Sequence, residues 1–507
     1  MAYANELICT LCDERYPVEV EYRPCPRCDG QLLLNLDLDS ISRKVSKQTF
    51  ARRGWSIWRY RELLPDIDEN KVVSLGEGGT ALLKCERLAR ELGLRKLLIK
   101  DETTNPTGSF LDRGMTVDIS RANELGSSSV NCHADSWNFA ASASAYAARA
   151  GFKCTIYSPR ERIEAVNIGK LYQIIAYGGN LVVEDQPEEN PRRSVTTENN
   201  THMLSPGNPY FAEGEKTAVF EICEQLGWLI PDRIIVPMGR GEHLSMIWRG
   251  ITELRQLDLI NKQHVSMTGV QVESYAEIVD RLHGKKVVET SRDAHKTIAI
   301  ELATKKPSYG HLAVDAIRGS RGEGVKVNDT EVFDAMSLLA RTEGIFAEPA
   351  AASTIAGLKR LVDQGSVSRD EDIVCVITGA GLKDPYTARR FITKVKQVDR
   401  ILSQIESRRF TTRIGRTKLA ILKVISSKDT YGYEIWKSLQ RLGFNIDISS
   451  VYQHLYDLEK VGLITESRTE SVLGKPKRSY YCTTEKGRSL INKRERTQKT
   501  SRSLVEG

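Results

Sequence analysis

From about residue 76 to residue 395, short apolar runs alternate with stretches of helical periodicity. The runs are residues 96–100, 153–157, 234–237, 268–272 and 373–378; helical stretches such as 140–150 and 208–226 lie between them. Strands that alternate with helices over such a length predict an α/β fold built on a mostly parallel sheet. The segment 184–202 (EDQPEENPRRSVTTENNTH) interrupts the alternation with polar residues and two prolines, and reads as a loop. At 507 residues the chain exceeds what one core can organise, so three or four units are expected.

Charge separates one end of the chain from the rest. Residues 401–507 carry 21 Lys and Arg against 11 Asp and Glu, a net of +10, whereas residues 1–400 carry 52 against 55, a net of −3. A basic module attached to a neutral body is expected to meet a polyanion. No apolar run is long enough to cross a bilayer. The N-terminal MAYANELICTLC lacks the basic and then apolar pattern of a signal peptide. A cytoplasmic protein without membrane contact is the expectation.

Ten cysteines are present, and four of them form two CxxC pairs, Cys9/Cys12 and Cys25/Cys28. Two such turns can set four thiolates at the corners of a tetrahedron, the geometry of a structural zinc site. Gly30 follows where a tight turn favours glycine, and residues 18–22 alternate as a hairpin strand should. A ribbon of this size is expected to depend on its metal to fold. The other six cysteines are isolated in apolar surroundings, which fits a reducing compartment.

The body carries a recognisable series of motifs. Residues 75–80 read LGEGGT, and Lys100, Asp101 and Glu102 lead into Asn105-Pro106-Thr107-Gly108-Ser109-Phe110. Residues 208–216 (NPYFAEGEK), 345–352 (IFAEPAAA) and 378–385 (TGAGLKDP) follow in order. Over about residues 1–395 this series resembles threonine synthase. The resemblance implies the type II fold of pyridoxal-phosphate enzymes, with two α/β subdomains and a cofactor cleft between them. In that family a lysine holds the cofactor as an imine between Ser-Phe and Asp-Arg-Gly; here Leu111 stands between Phe110 and Asp112, and leucine has no nucleophile.

Two further cofactor elements differ from the family's. The ring-binding loop keeps Asn138 after Ser136, but Trp137 replaces a glycine and is expected to fill the space of the cofactor ring. The phosphate cradle reads Gly239-Arg240-Gly241-Glu242-His243, with Glu242 in a cup meant for a dianion. Like charges at close range cost on the order of a kcal/mol even at an effective dielectric of about 20. Arg240 and His243, cationic or able to become so, could answer Glu242 or draw another anion. Thr378 is kept where the family bonds the pyridine nitrogen. These departures lead to the expectation that the body is not an enzyme and that pyridoxal phosphate is absent. Three readings stay open: a scaffold whose cleft is filled, a cleft that senses a small metabolite, and an enzyme using another lysine such as Lys100 or Lys383.

After a charged stretch at residues 394–409, the pattern becomes helix, helix, helix and two strands around the basic turn 473–478. In the third helix Val451, Leu455 and Leu458 share one face; Ser449, Ser450, Tyr452, Gln453, Tyr456 and Lys460 fall outside it, a set suited to phosphates and base edges. Lys475, Lys477 and Arg478 in the turn would reach the DNA backbone. Gly432-Tyr433-Glu434-Ile435, residues 451–455 (VYQHL), residues 458–464 (LEKVGLI) and Tyr480-Tyr481 make this segment similar to the PadR-type winged-helix regulators. That resemblance implies double-stranded DNA as partner and a homodimer that reads two half-sites. The expected division is a zinc ribbon at 1–34, an arm at 35–75, the threonine-synthase-like body at 76–398, and the winged helix with its basic tail at 399–507. The expected function is a transcription regulator that could sense a small-molecule effector in the former cofactor cleft; the alternative is a pyridoxal-phosphate lyase of the threonine synthase type that also binds DNA.

Overall fold

The computed structural model describes all residues except 1–3, 19–23, 135, 161–166, 185–199, 262, 286–296, 388–413, 471–477 and 493–507. The chain divides into two compact units, residues 1–391 and 392–507.

In the first unit, the strands β1 (Ala4–Cys9), β2 (Arg15–Pro17) and β3 (Leu32–Leu36) form a small antiparallel sheet in the order β2-β1-β3. Of the expected hairpin strand at 18–22, residues 19–22 lie outside the described residues; β2 ends just before it, at Pro17. Leu7, Leu32, Leu34 and Leu36 do not form a core of their own. They join Ile247, Ile251 and Leu254 of the helix Glu242–Gln256 in one apolar cluster. The residues that follow add Phe50, Tyr60 and Leu63 to the same cluster. The ribbon therefore gains apolar burial from the body as well as whatever a metal supplies.

Two sheets carry the body. β4 (Leu82–Lys84), β5 (Lys96–Asp101), β10 (Arg233–Pro237), β11 (Ser266–Val272), β12 (Glu323–Val327) and β13 (Asp372–Ile377) form one sheet in the order β12-β11-β10-β13-β5-β4. Only β4 pairs antiparallel there. β6 (Ser129–His133), β7 (Lys153–Pro159), β8 (Asn180–Glu184) and β9 (Thr201–Met203) form the other, all parallel, in the order β8-β7-β6-β9. Each expected apolar run becomes one of these strands. The expected loop at 184–202 begins and ends in strand, at Glu184 and at Thr201 and His202, because both ends pair into the second sheet; residues 185–199 lie outside the described residues. The stretch 208–226 forms two helices, Pro209–Glu215 and Thr217–Gln225.

The helix Asp112–Glu124 is tied into the interior by ions. Arg113, fully buried, donates to Glu102 at 2.6 Å and to Glu221 at 2.7 Å, and Lys100 donates to Glu221 at 2.7 Å. Asn105 completes Glu102 with a 2.8 Å bond. Asp112 accepts from the Thr107 amide and hydroxyl, both at 2.7 Å, and from Ser142. Buried charges are tolerated when every lone pair is used in this way.

The second unit has its own core of Ile421, Leu422, Ile425, Ile435, Leu439, Val451, Leu455 and Leu458. Helices Arg416–Ser427, Gly432–Arg441 and Ile448–Lys460 precede β15 (Ile464–Glu470) and β16 (Arg478–Thr483), with β14 (Thr430–Tyr431) as a third strand beside β16. Among the described residues no helix is long and apolar enough to cross a membrane.

Candidate functional sites

Strand ends bring the cleft residues together, as parallel sheets do. β10 ends at Pro237, and Gly241, at φ 87°, turns the chain into the helix Glu242–Gln256. β13 delivers Thr378. β6 leads to Ser136, whose hydroxyl caps the helix Trp137–Ala150 by accepting from the Phe139 amide at 3.2 Å. Leu111, Ser136, Asn138, Gly239, Arg240, Gly241, Glu242, His243 and Thr378 all line one cavity of about 80 Å³. That is well below the roughly 300–1,000 Å³ of pockets for drug-sized ligands.

Trp137 is the exception. It does not line the cavity but lies buried in the apolar cluster with Met115, Phe139, Tyr146 and Phe211. The expectation that its indole fills the ring space is corrected: as the first residue of its helix it joins the subdomain core.

Three carboxylates that sequence reasoning did not single out, Glu215, Glu301 and Glu348, also line the cavity. Lys170, from the helix Ile168–Ala176, reaches Glu301 at 2.5 Å and Glu348 at 3.2 Å, with its side chain 1% exposed. Burial disfavours its charge, but the two carboxylates outweigh that and hold its pKa above the usual lysine value. Ser136 donates to Glu301 at 2.5 Å and Asn138 to Glu348 at 2.8 Å. Glu215 and Glu348 sit inside the quoted motifs NPYFAEGEK and IFAEPAAA, so a charge within an otherwise apolar stretch was the available signal. Lys170 gave none, since a lysine on an amphipathic helix reads as solvated.

The cradle end of the cavity differs. Burial pushes Glu215 up to about 8 and, together with the neighbouring Glu215, pushes Glu242 well above the carboxylate range. Among the described residues, both Glu215 oxygens and Oε1 of Glu242 lack a hydrogen-bond partner. Arg240 stands 3.5 Å from Glu242 and His243 Nδ1 3.4 Å from Glu215. Burial lowers His243 to about 3, so it is neutral, which corrects its expected role as a cation. Its ring stacks near Phe110, at 4.3 Å between centroids.

Neither alternative lysine lines the cavity. Lys100 is committed to Glu221, the Thr80 carbonyl and Gln225. Lys383 donates to the Thr107 carbonyl at 2.6 Å, and burial lowers it to about 8.

At the N-terminus, the Sγ atoms of Cys9, Cys12, Cys25 and Cys28 lie within 4.8 Å of one another. Cys9 and Cys28 are 3.4 Å apart and Cys12 and Cys25 3.7 Å, near the spacing of about 3.8 Å that tetrahedral Zn–S bonds require. A Cβ on Gly30 would stand 2.7 Å from the Cys9 sulfur, so glycine is required there. The cluster could hold a metal such as zinc.

In the second unit Tyr452, Gln453, Tyr456 and Lys460 are exposed on the third helix. Ser449 and Ser450 instead bond Asp447, at 2.5 and 2.8 Å, where Asp447 caps the helix. Lys460 lies over the Tyr456 ring at 5.8 Å. Lys475 and Lys477 lie outside the described residues, and Arg478 begins β16.

Residues 73–379 match the family described as pyridoxal-phosphate dependent enzyme. The chain belongs to that family. Threonine synthase of Methanocaldococcus jannaschii is 42% identical over 387 residues, covering 75% of this chain and 94% of that protein. The Methanosarcina acetivorans threonine synthase is 36% identical, covering 75% and 93%. Among solved structures, maize serine racemase superposes with a TM-score of 0.52 at 21% identity, over 63% of this chain and 93% of that one; this likeness shows the fold. Residues 421–493 match the PadR-like transcriptional regulator family. The fusion of a threonine-synthase-like body to a PadR-like domain is thus established.

The same matches overturn the expectation that the body is not an enzyme. Relatives named threonine synthase at 36–42% identity over most of the chain point to a pyridoxal-phosphate-dependent enzyme. They likewise leave the expected absence of pyridoxal phosphate without support. Around the cavity, Leu111 has no amine, and the buried carboxyls of Glu215 and Glu242 lie at the loop 239–243. At these positions the donor set does not fit a lysine-linked dianion.

Proposed function

We propose that this protein is a DNA-binding transcription regulator whose pyridoxal-phosphate-family body takes a small metabolite in its cleft. The observation that carries the reading is the exposed face of the helix Ile448–Lys460, with Tyr452, Gln453, Tyr456 and Lys460, in a domain region of net charge +10. Gln453 is suited to a base edge, the tyrosine hydroxyls and Lys460 to phosphates, and the basic turn with Lys475, Lys477 and Arg478 to the adjoining backbone. Ser449 and Ser450 contribute by placing Asp447 at the helix N-terminus. A homodimer would present two such helices to half-sites about one helical turn apart. The four-cysteine site holds structural zinc, closed to catalysis because all four positions are protein ligands. Such a protein works on DNA in the cytoplasm. The test is a salt titration of the full-length protein on duplex DNA selected from a random pool. Affinity that falls steeply with salt, and falls further with Gln453→Ala on the selected sequence only, supports the reading; affinity indifferent to both overturns it.

A second reading is favoured by the threonine synthase relatives: a lyase of that type that also binds DNA. It requires bound pyridoxal phosphate, read from the visible absorption of the purified protein, and threonine formation by that preparation.

A further inference from the structure

The cavity has two acidic ends, and they are treated differently. At one, Glu301 and Glu348 are answered by the ammonium of Lys170. At the other, Glu215 and Glu242 meet no ammonium among the described residues. Their side chains are 1% and 4% exposed, and three of their four carboxyl oxygens have no hydrogen-bond partner. An unpaired buried acceptor is costly, so a cavity lined by both of these carboxyls is poised for a donor. The protein donors beside them are the Tyr309 phenol near Glu242, His243 at 3.4 Å from Glu215 and Arg240 at 3.5 Å from Glu242. His243 is neutral, and the 3.5 Å approach of Arg240 leaves its Nε unbonded.

We infer that the Glu215–Glu242 end of the cavity binds the protonated primary amine of a small ligand, as the other end binds Lys170. This deepens the metabolite-binding reading above and rests on it. The small volume restricts the ligand to a few heavy atoms beyond the ammonium. A ligand that also carries a carboxylate would use the free Nε of Arg240, so a simple amine and an amino acid share the ammonium contact and differ at Arg240. The groups facing the site are Arg240, Glu242, His243 and the Tyr309 phenol on one side and Glu215 on the other; Glu102 and Arg113 act on His243 from behind. Since Glu215 must give up its proton to receive a cation, amine affinity rises as pH increases toward about 8.

The test is calorimetric titration of the full-length protein with ethylamine, glycine, acetate and inorganic phosphate, with thermal melting to show that each variant is folded. Ethylamine and glycine are expected to bind and acetate and phosphate not to bind. Glu215→Gln is expected to weaken both amines about tenfold or more, as loss of a charged hydrogen bond does. Arg240→Gln is expected to weaken glycine and leave ethylamine unchanged, since only glycine carries a carboxylate for Arg240. Phosphate binding without amine binding overturns the inference and leaves the metabolite reading standing. Binding of none of the four overturns both.

Discussion

Two groups of buried charge in the body differ in one respect. Around Arg113, each charge has a partner: Glu102, Glu221 and Lys100 are completed by Thr80, Asn105 and Gln225. Around the cavity, the Lys170 end is paired and the Glu215–Glu242 end is open. The first group fastens the helix that carries Leu111 at its start; the second keeps unfilled hydrogen-bonding capacity beside a void. Of these two groups, the fully bonded one fastens a helix and the incompletely bonded one lines the cavity.

The comparison is broken most severely at Arg113. Arg113→Met leaves Glu102 and Glu221 buried and uncompensated, and is expected to cost about 3–5 kcal/mol in denaturant unfolding. Lys170→Met should cost less, about 1–3 kcal/mol, because Glu348, its pKa already raised by burial, can take up a proton in place of the lost partner. A larger loss at Lys170 than at Arg113 would reverse the comparison.

Glu215 sharpens the comparison through pH. Its folded pKa of about 8 lies above the ordinary 4.5, so the folded state holds this proton more tightly than the unfolded chain does. The associated stability is full below about pH 4.5 and is lost as pH rises through about 8. Melting curves of wild type and Glu215→Gln should therefore diverge over that window, with wild type falling relative to the variant. Parallel curves would show that Glu215 is ionised and paired. The smallest effect is expected in the second unit, where Lys460 is exposed. Lys460→Ala should leave stability within about 0.5 kcal/mol and lower the salt slope of DNA binding by about 1.

The strands were legible because five apolar runs matched five sheet strands nearly residue for residue. The cysteine cluster was legible because spacing alone brings two CxxC turns together. The cleft was read in part. Its loops were found from motif order, yet Trp137 was sent to the wrong side, since one residue of helix rotation decides between cavity and core. The charge of His243 was misjudged because burial sets it. Lys170 stayed hidden because its partners, Glu301 and Glu348, lie 131 and 178 residues along the chain and only the fold joins them. Leu111 invited a conclusion about activity that the relatives of the whole body do not support.

The central claim is that this enzyme-family body serves a DNA-binding regulator, and the most direct measurement is DNA binding by the intact protein across a salt series. The account predicts a linear fall of log affinity with log salt, with several phosphates neutralised, and loss of sequence preference in Gln453→Ala. Affinity that is flat with salt and unchanged in that variant would contradict it.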